Sequence, residues 1–176
     1  MLGMSHRSLT VVLLVALVIA GCPGRREKPV PTPPPPTADA VVVEKAKRRM
    51  TLWRDGRPWR SYHIALGRNP VGPKQCEGDG RTPEGSFVTD WRNPDSKYHL
   101  SLHISYPRPD DWRRADEAGV APGGDIMIHG LPNGREEFAA THAEHDWTEG
   151  CIAVTDEEID EIWTLVRDGT VIDIRA

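Results

Sequence analysis

Several features are scarce in this chain, and each scarcity excludes something. The longest unbroken apolar run, Val11 to Ala20, is ten residues. As a helix it would span only ~15 Å, half of a bilayer core of ~30 Å, so it is too short to cross a membrane as a helix. There are only three cysteines, Cys22, Cys76 and Cys151, with no C-x-x-C spacing among them, which argues against a cysteine-based metal site or a dithiol redox motif. Positive charge is not in surplus: 22 Lys and Arg stand against 26 Asp and Glu, a net charge of -4. That balance gives no electrostatic reason to bind nucleic acid. No internal repeat is visible, and 176 residues leave room for one domain and little more.

What is present divides the chain in three. Residues 1–21 hold a basic Arg7, the short apolar run and small residues at its end, the pattern of a secretory signal. The ending Ile19-Ala20-Gly21-Cys22 resembles the lipobox of bacterial lipoproteins, which implies cleavage before Cys22 and a lipid on that cysteine. From Pro23 to Ala40 there are seven prolines, four of them consecutive at Pro33 to Pro36. Such a run favours polyproline II and reaches at most ~55 Å over eighteen residues, so residues 22–40 are expected to be a stalk. The folded domain is expected over 41–176.

Short strand patterns fill that domain. Val41-Val42-Val43, Arg49 to Trp53 and Trp59 to Leu66 come first, with Asp55-Gly56 as a hairpin turn. Gly67 to Gly85 is a long turn-rich loop, and such loops are more often functional than idle. Ser86 to Trp91, Leu100 to Tyr106, Asp125 to His129 and Val171 to Ile174 are further strand candidates, and Pro109 to Gly119 reads as a possible helix. Thr155-Asp156-Glu157-Glu158 has the form of a capping box. Ile159, Ile162, Trp163 and Val166 then recur at helical spacing, with Gly169 placed to stop the helix. The expected class is mainly β with one or two short helices.

Two strand ends carry candidate chemistry. Cys151 leads the apolar run Ile152 to Val154, and His129 closes the run Asp125 to Ile128. A thiol and an imidazole delivered to one mouth can perform acyl transfer, because the imidazole takes the thiol proton as sulfur attacks a carbonyl. Other readings stay open: a buried inert thiol, a Cys76–Cys151 disulfide in an oxidising compartment, or zinc held by His142, His145 and His129 with Asp146. Trp91, Trp112 and Trp147 are candidates to line a sugar- or peptide-binding cleft.

Three ordered motifs, Thr82-Pro83-Glu84-Gly85, Ile128-His129-Gly130 and Thr148-Glu149-Gly150-Cys151-Ile152, together resemble the L,D-transpeptidase catalytic domain of the YkuD type over about residues 41–176. The resemblance implies a β-sandwich-type, mixed-strand fold with Cys151 as nucleophile, His129 as general base and Gly150 in the oxyanion-hole neighbourhood. It implies attack on the third residue of peptidoglycan stem peptides, usually diaminopimelate, with loss of terminal D-Ala, a thioester, and transfer of the acyl group to an amine. No metal or organic cofactor is implied. The expected location is the cell envelope, on the periplasmic face, held to a membrane through the lipid on Cys22. Passing the same thioester to water would give a hydrolase, and a decayed site would leave a non-catalytic wall-binding lipoprotein.

Two positions depart from the family pattern. Glu149 stands where most members carry His, and Ala153 where most carry Arg. His142, His145 or Asp146 could take over the support the His gives. Arg81, Arg135 or Lys74 could supply the missing cation for a carboxylate on the stem. Trp147, Thr148, Glu149, Arg81 and Gly130 are the nominated substrate-binding residues.

Overall fold

The computed structural model describes residues 35–176; the expected signal segment, Cys22 and most of the proline-rich stalk lie outside the described residues. Eight strands are present: β1 Ala40–Glu44, β2 Arg49–Arg54, β3 Arg57–His63, β4 Gly85–Ser96, β5 His99–Ile104, β6 Met127–His129, β7 Ile152–Ala153 and β8 Val171–Arg175. Two helices accompany them, α1 Pro109–Glu117 and α2 Asp156–Leu165. The strands form one mixed sheet in the order β3-β2-β1-β8-β4-β5-β6-β7. The class is therefore mainly β with two short helices, as the sequence leads one to expect. No described helix is long and apolar enough to cross a membrane.

Alternation explains which face is buried. Val41 and Val43 of β1, Met50 and Leu52 of β2, and Ile172 and Ile174 of β8 point into one core, while Val42 and Asp173 between them are only half-buried on the other face. The β2–β3 hairpin turns at Asp55 and Gly56, both with positive φ (51° and 70°), the geometry that matches hairpin twist and that an Asp-Gly pair adopts at low cost. Packing begins slightly ahead of β1: Ala38 is buried, and its N–H donates to the Leu165 carbonyl at 2.7 Å.

The helix α2 starts where its capping box requires. Thr155 Oγ1 accepts the Glu158 N–H at 3.2 Å, and the Glu158 carboxylate accepts the Thr155 N–H at 2.9 Å. Ile159, Ile162 and Leu165 are its buried stripe, packed over β5 and β6. The helix ends at Leu165, with Val166 already in extended backbone (φ -104°, ψ 123°), so Gly169 is not its stop. Val166 is fully buried, and its seat in the core turns the chain out of the helix before the glycine, which instead serves the turn into β8 with φ 86°.

The strand β4 is longer than its sequence suggests, and it joins the two halves of the sheet. Gly85 to Val88 pair with β8, while Thr89 to Ser96 pair with β5 through two register irregularities. Beside it, the irregular loop 67–84 is fastened by Lys45, whose side chain is only 2% exposed. Lys45 Nζ donates to the carbonyls of Gly72 (2.7 Å) and Thr82 (3.0 Å) and to the Glu84 carboxylate (2.8 Å).

Candidate active site

The β6–β7 edge of the sheet brings the two candidate groups together. Strands β6 and β7 pair in parallel, with Ile128 opposite Ile152 and His129 opposite Ala153. Cys151 and His129 both line one cleft of about 430 Å³, whose other walls include Trp91, Lys97, Tyr98, Ser101, Asp125 and Met127. Cys151 is partly exposed, and it and Cys76 are both free thiols, so no disulfide ties them. The sulfur accepts the Met127 N–H at 3.4 Å and lies 3.5 Å from the Asp125 carbonyl, toward which the thiol donates. His129 is not among its hydrogen-bond partners.

The turn ahead of the thiol is shaped by Thr148 and Gly150. Thr148 Oγ1 donates to the Cys151 carbonyl at 2.8 Å and accepts the Gly150 N–H at 3.1 Å. Gly150 sits at φ 134°, and a Cβ there would come within 2.7 Å of the Arg81 carbonyl oxygen. Both the backbone conformation and the space demand glycine. With Gly150 N–H taken by Thr148, the Cys151 N–H, like that of exposed Glu149, is engaged by no group among the described residues.

His129 is 3% exposed. Its Nδ1 lies 2.7 Å from the Gly130 carbonyl, and because a carbonyl only accepts, Nδ1 carries the proton and Nε2 holds a lone pair. Burial pushes its pKa down to about 4, against a smaller upward pull from that carbonyl. The ring is wedged by Tyr98 (4.5 Å between centroids) and Trp147 (5.8 Å). Gly130 N–H bonds the Tyr98 and Leu100 carbonyls, and the next residue is pinned to α2 by Leu131 N–H to Asp156 Oδ1 at 2.8 Å. Burial also pushes the Cys151 thiol up, with the Met127 N–H pulling it back and the Asp125 charge adding to the rise. Both shifts favour a resting pair of neutral thiol and neutral imidazole.

The other nominated residues fall in different places. Trp147 packs behind His129, its indole N–H donating to the His142 carbonyl at 3.1 Å. Glu149 is exposed and paired with Arg68. Asp146 is taken by Arg48 (2.6 Å) and by the Leu66 N–H (2.9 Å), so it fastens the backbone and does not support the imidazole. His142 is buried whereas His145 is exposed, and no group of three His, Cys, Asp or Glu among the described residues has the arrangement to hold a metal ion. Arg81, Lys74 and Arg135 do not line the cleft. Lys74 is buried on Asp79 at 2.9 Å, Arg81 reaches toward the Pro73 carbonyl, and Arg135 pairs with Glu137. Trp91 lines the cleft and stacks on His103 at 5.0 Å, while Trp112 is exposed on α1 and away from it.

Sequence reasoning missed Tyr98, Lys97, Ser101 and Asp125. Tyr98 and Lys97 sit in the turn joining β4 to β5, which the irregular ending of β4 hides. Ser101 had a readable signal, since it lies on an alternating strand, and register places it opposite His129.

Comparison with known proteins agrees with this geometry. Residues 38–174 match the family model for the YkuD L,D-transpeptidase catalytic domain, and the chain belongs to that family. It is 34% identical over 138 residues to YafK of Escherichia coli (strain K12), whose L,D-transpeptidase name is provisional, covering 74% of this chain and 48% of YafK. The chain thus spans about half the length of that curated relative. Among solved structures, the helical cell shape determining protein Pgp2 of Campylobacter jejuni superposes with a TM-score of 0.60 at 23% identity, over 80% of this chain and 48% of Pgp2. An L,D-transpeptidase from Xylanimonas cellulosilytica gives 0.52 at 15% identity, over 83% and 64%. At these identities the two structures establish the fold.

Proposed function

We propose that this domain is a cysteine acyltransferase acting on peptidoglycan stem peptides, with Cys151 as nucleophile and His129 as general base. The observation that carries the reading is a free thiol and an imidazole with an open Nε2 lining one cleft of an L,D-transpeptidase catalytic domain. Because both groups rest neutral, ionisation is coupled to attack. Nε2 takes the thiol proton as sulfur bonds to the carbonyl carbon of the third stem residue. The C–N bond to the terminal D-Ala then breaks, and the imidazolium returns its proton to the departing amine. An acceptor amine attacks the thioester, loses a proton to Nε2, and the sulfur leaves and is reprotonated.

Within that scheme the Cys151 N–H donates to the oxyanion, where loss of a donor typically costs ~10²-fold or more. Gly150 and Thr148 hold that N–H in place, and Trp147 and Gly130 hold His129. Glu149 and Arg81, nominated to bind the stem, do not line this cleft. Cys22 carries the lipid, the proline-rich residues between it and Ala38 form the stalk, and the domain works in the cell envelope on the periplasmic face of the membrane that bears it.

Incubating purified protein with tetrapeptide muropeptides and weighing the products tests the reading. Wild type should give a thioester adduct and cross-linked dimers, with Cys151→Ala giving neither. Tripeptides without dimers would assign the acceptor as water, and absence of any adduct or product would remove the enzymatic reading. Mass analysis of the membrane-extracted N-terminus tests the anchor, which an unlipidated Cys22 would disprove.

A further inference from the structure

A second cavity lies away from the nucleophile. It is a groove of about 520 Å³ that shares no lining residue with the Cys151 cleft. Strand register builds it on the outer face of β1, β2 and β3. Val42, Thr51 and Ser61 stand side by side as its floor. Trp53 lies opposite Pro58 at one end, and Glu44 lies between Arg49 and Arg175 at the other. Arg49 and Trp53 mark these ends on β2, ~13 Å apart along the strand.

The charged residues that line the groove are already matched. Arg49 is paired with Glu44 at 2.5 Å, Arg175 with Asp173 at 2.5 Å and Arg60 with Glu161 at 2.9 Å. An anionic headgroup or a nucleic acid would have to displace those carboxylates. A neutral polyol displaces nothing, because each ion pair keeps unused N–H donors and carboxylate lone pairs for its hydroxyls. The Thr51 and Ser61 hydroxyls, 3.4 Å apart, add loosely paired donors and acceptors. Apolar walls complete the match. Trp53 is half-buried along the groove, and its enclosed indole N–H has no acceptor among the described residues. The Arg54 and Arg60 guanidiniums lie over the Trp59 ring, 5.3 and 4.9 Å from its centre, and hold it in place. Flat apolar surface edged by fixed hydrogen-bonding groups suits a sugar ring, whose faces are C–H and whose rim is hydroxyl.

We propose that this groove seats an uncharged, N-acetylated sugar chain, the glycan strand from which stem peptides hang. The choice of polymer rests on the stem-peptide reading above. In the sheet order, β2 and β6 are separated by β1, β8, β4 and β5, up to ~24 Å along the sheet. The first three residues of a stem extend only ~10 Å. Groove and cleft therefore engage different units of one strand. A weak hold in the groove keeps neighbouring stems near Cys151 at an effective concentration on the order of mM, so polymeric substrate gains and single units do not.

Full-length Cys151→Ala protein is titrated by calorimetry with chitohexaose, an uncharged N-acetylated chain without stems. Binding is expected and should change little between low and high salt. Ser61→Tyr, which fills the groove from an exposed position, and Trp53→Leu should each weaken it about tenfold or more, as for loss of a central anchor. With Cys151 intact, KM for tetrapeptide stems on glycan strands should lie below that for free tetrapeptide. It should rise about tenfold in both variants at unchanged kcat, while turnover of free tetrapeptide and the Tm of Ser61→Tyr stay the same. No binding of chitohexaose, or variants that treat strand and free tetrapeptide alike, would overturn the proposal. Binding only to anionic vesicles, or a dimer that Ser61→Tyr dissociates in sedimentation, would overturn it by giving the groove to a membrane surface or a second copy. Sugar binding without any acyl-enzyme in wild type upholds it while removing the catalytic reading, and turnover of free tetrapeptide without sugar binding does the reverse.

Discussion

Thr148 and Cys151 are joined across the turn that presents the thiol: the Thr148 hydroxyl donates to the Cys151 carbonyl at 2.8 Å while accepting the Gly150 N–H at 3.1 Å. One hydroxyl therefore fixes the 149–150 and 151–152 peptides, which flank the 150–151 peptide that carries the Cys151 N–H. Thr148→Val keeps the shape but leaves the buried Gly150 N–H without an acceptor, at ~1–3 kcal/mol. We expect kcat to fall about tenfold or more while KM changes little, with Thr148→Ser restoring most of it. Steady-state turnover of a tetrapeptide alongside thermal unfolding checks this.

Acid should destabilise the domain through His129. Its folded pKa, about 4, lies below the ordinary ~6.5 of an unfolded histidine. Between those values the unfolded chain binds the extra proton, so stability is complete above pH ~6.5 and declines as pH falls toward 4. The fall amounts to roughly 3 kcal/mol from this residue, and His129→Gln should flatten it. Urea unfolding at pH 7 and pH 4.5 for both proteins measures the difference; an unchanged slope in the variant would assign it to other groups.

Lys45 should be among the most sensitive charged positions. Replacing it by Met strands the Glu84 carboxylate and two carbonyls that it now satisfies. The expected loss is roughly 3 kcal/mol, as for breaking a buried pair from one side. Because these contacts fasten loop 67–84, protease nicking within that loop should rise before the core unfolds, which limited proteolysis with mass mapping would reveal.

A smaller effect is expected at the start of α2. Thr155→Ala removes the acceptor for the Glu158 N–H and should cost about 1 kcal/mol. Turnover at 25 °C should be unchanged, since Thr155 does not line the cleft. Calorimetry and an activity assay on the same sample check both halves.

What could be read from the sequence follows how local its causes are. The capping box at Thr155, the Asp55-Gly56 turn and the short strand runs of β1, β2 and β8 are written within a few residues, and each stands where expected. The helix end at Gly169 was misplaced because burial of Val166, a tertiary effect, ends α2 first. The far half of β4 escaped notice because Asn93-Pro94-Asp95 has turn composition, and its pairing with β5 is decided by the partner strand. The pairing of β6 with β7 cannot be read from spacing, although the motifs at His129 and Cys151 mark its two ends. Arg81, Lys74 and Arg135 looked available as cations only because sequence hides their partners Pro73, Asp79 and Glu137. Lys97, whose ammonium is paired with no group among the described residues, carries no local signature at all.

The parallel pairing of β1 with β8, Val41 opposite Ile172 and Val43 opposite Ile174, has a consequence for how the domain is made. Its first and last strands are neighbours in the middle of the sheet, so the sheet stays split until β8 has been made. Closing contacts so distant in sequence is slow, and the nascent domain therefore remains open to chaperones or translocation machinery until β8 enters between β1 and β4.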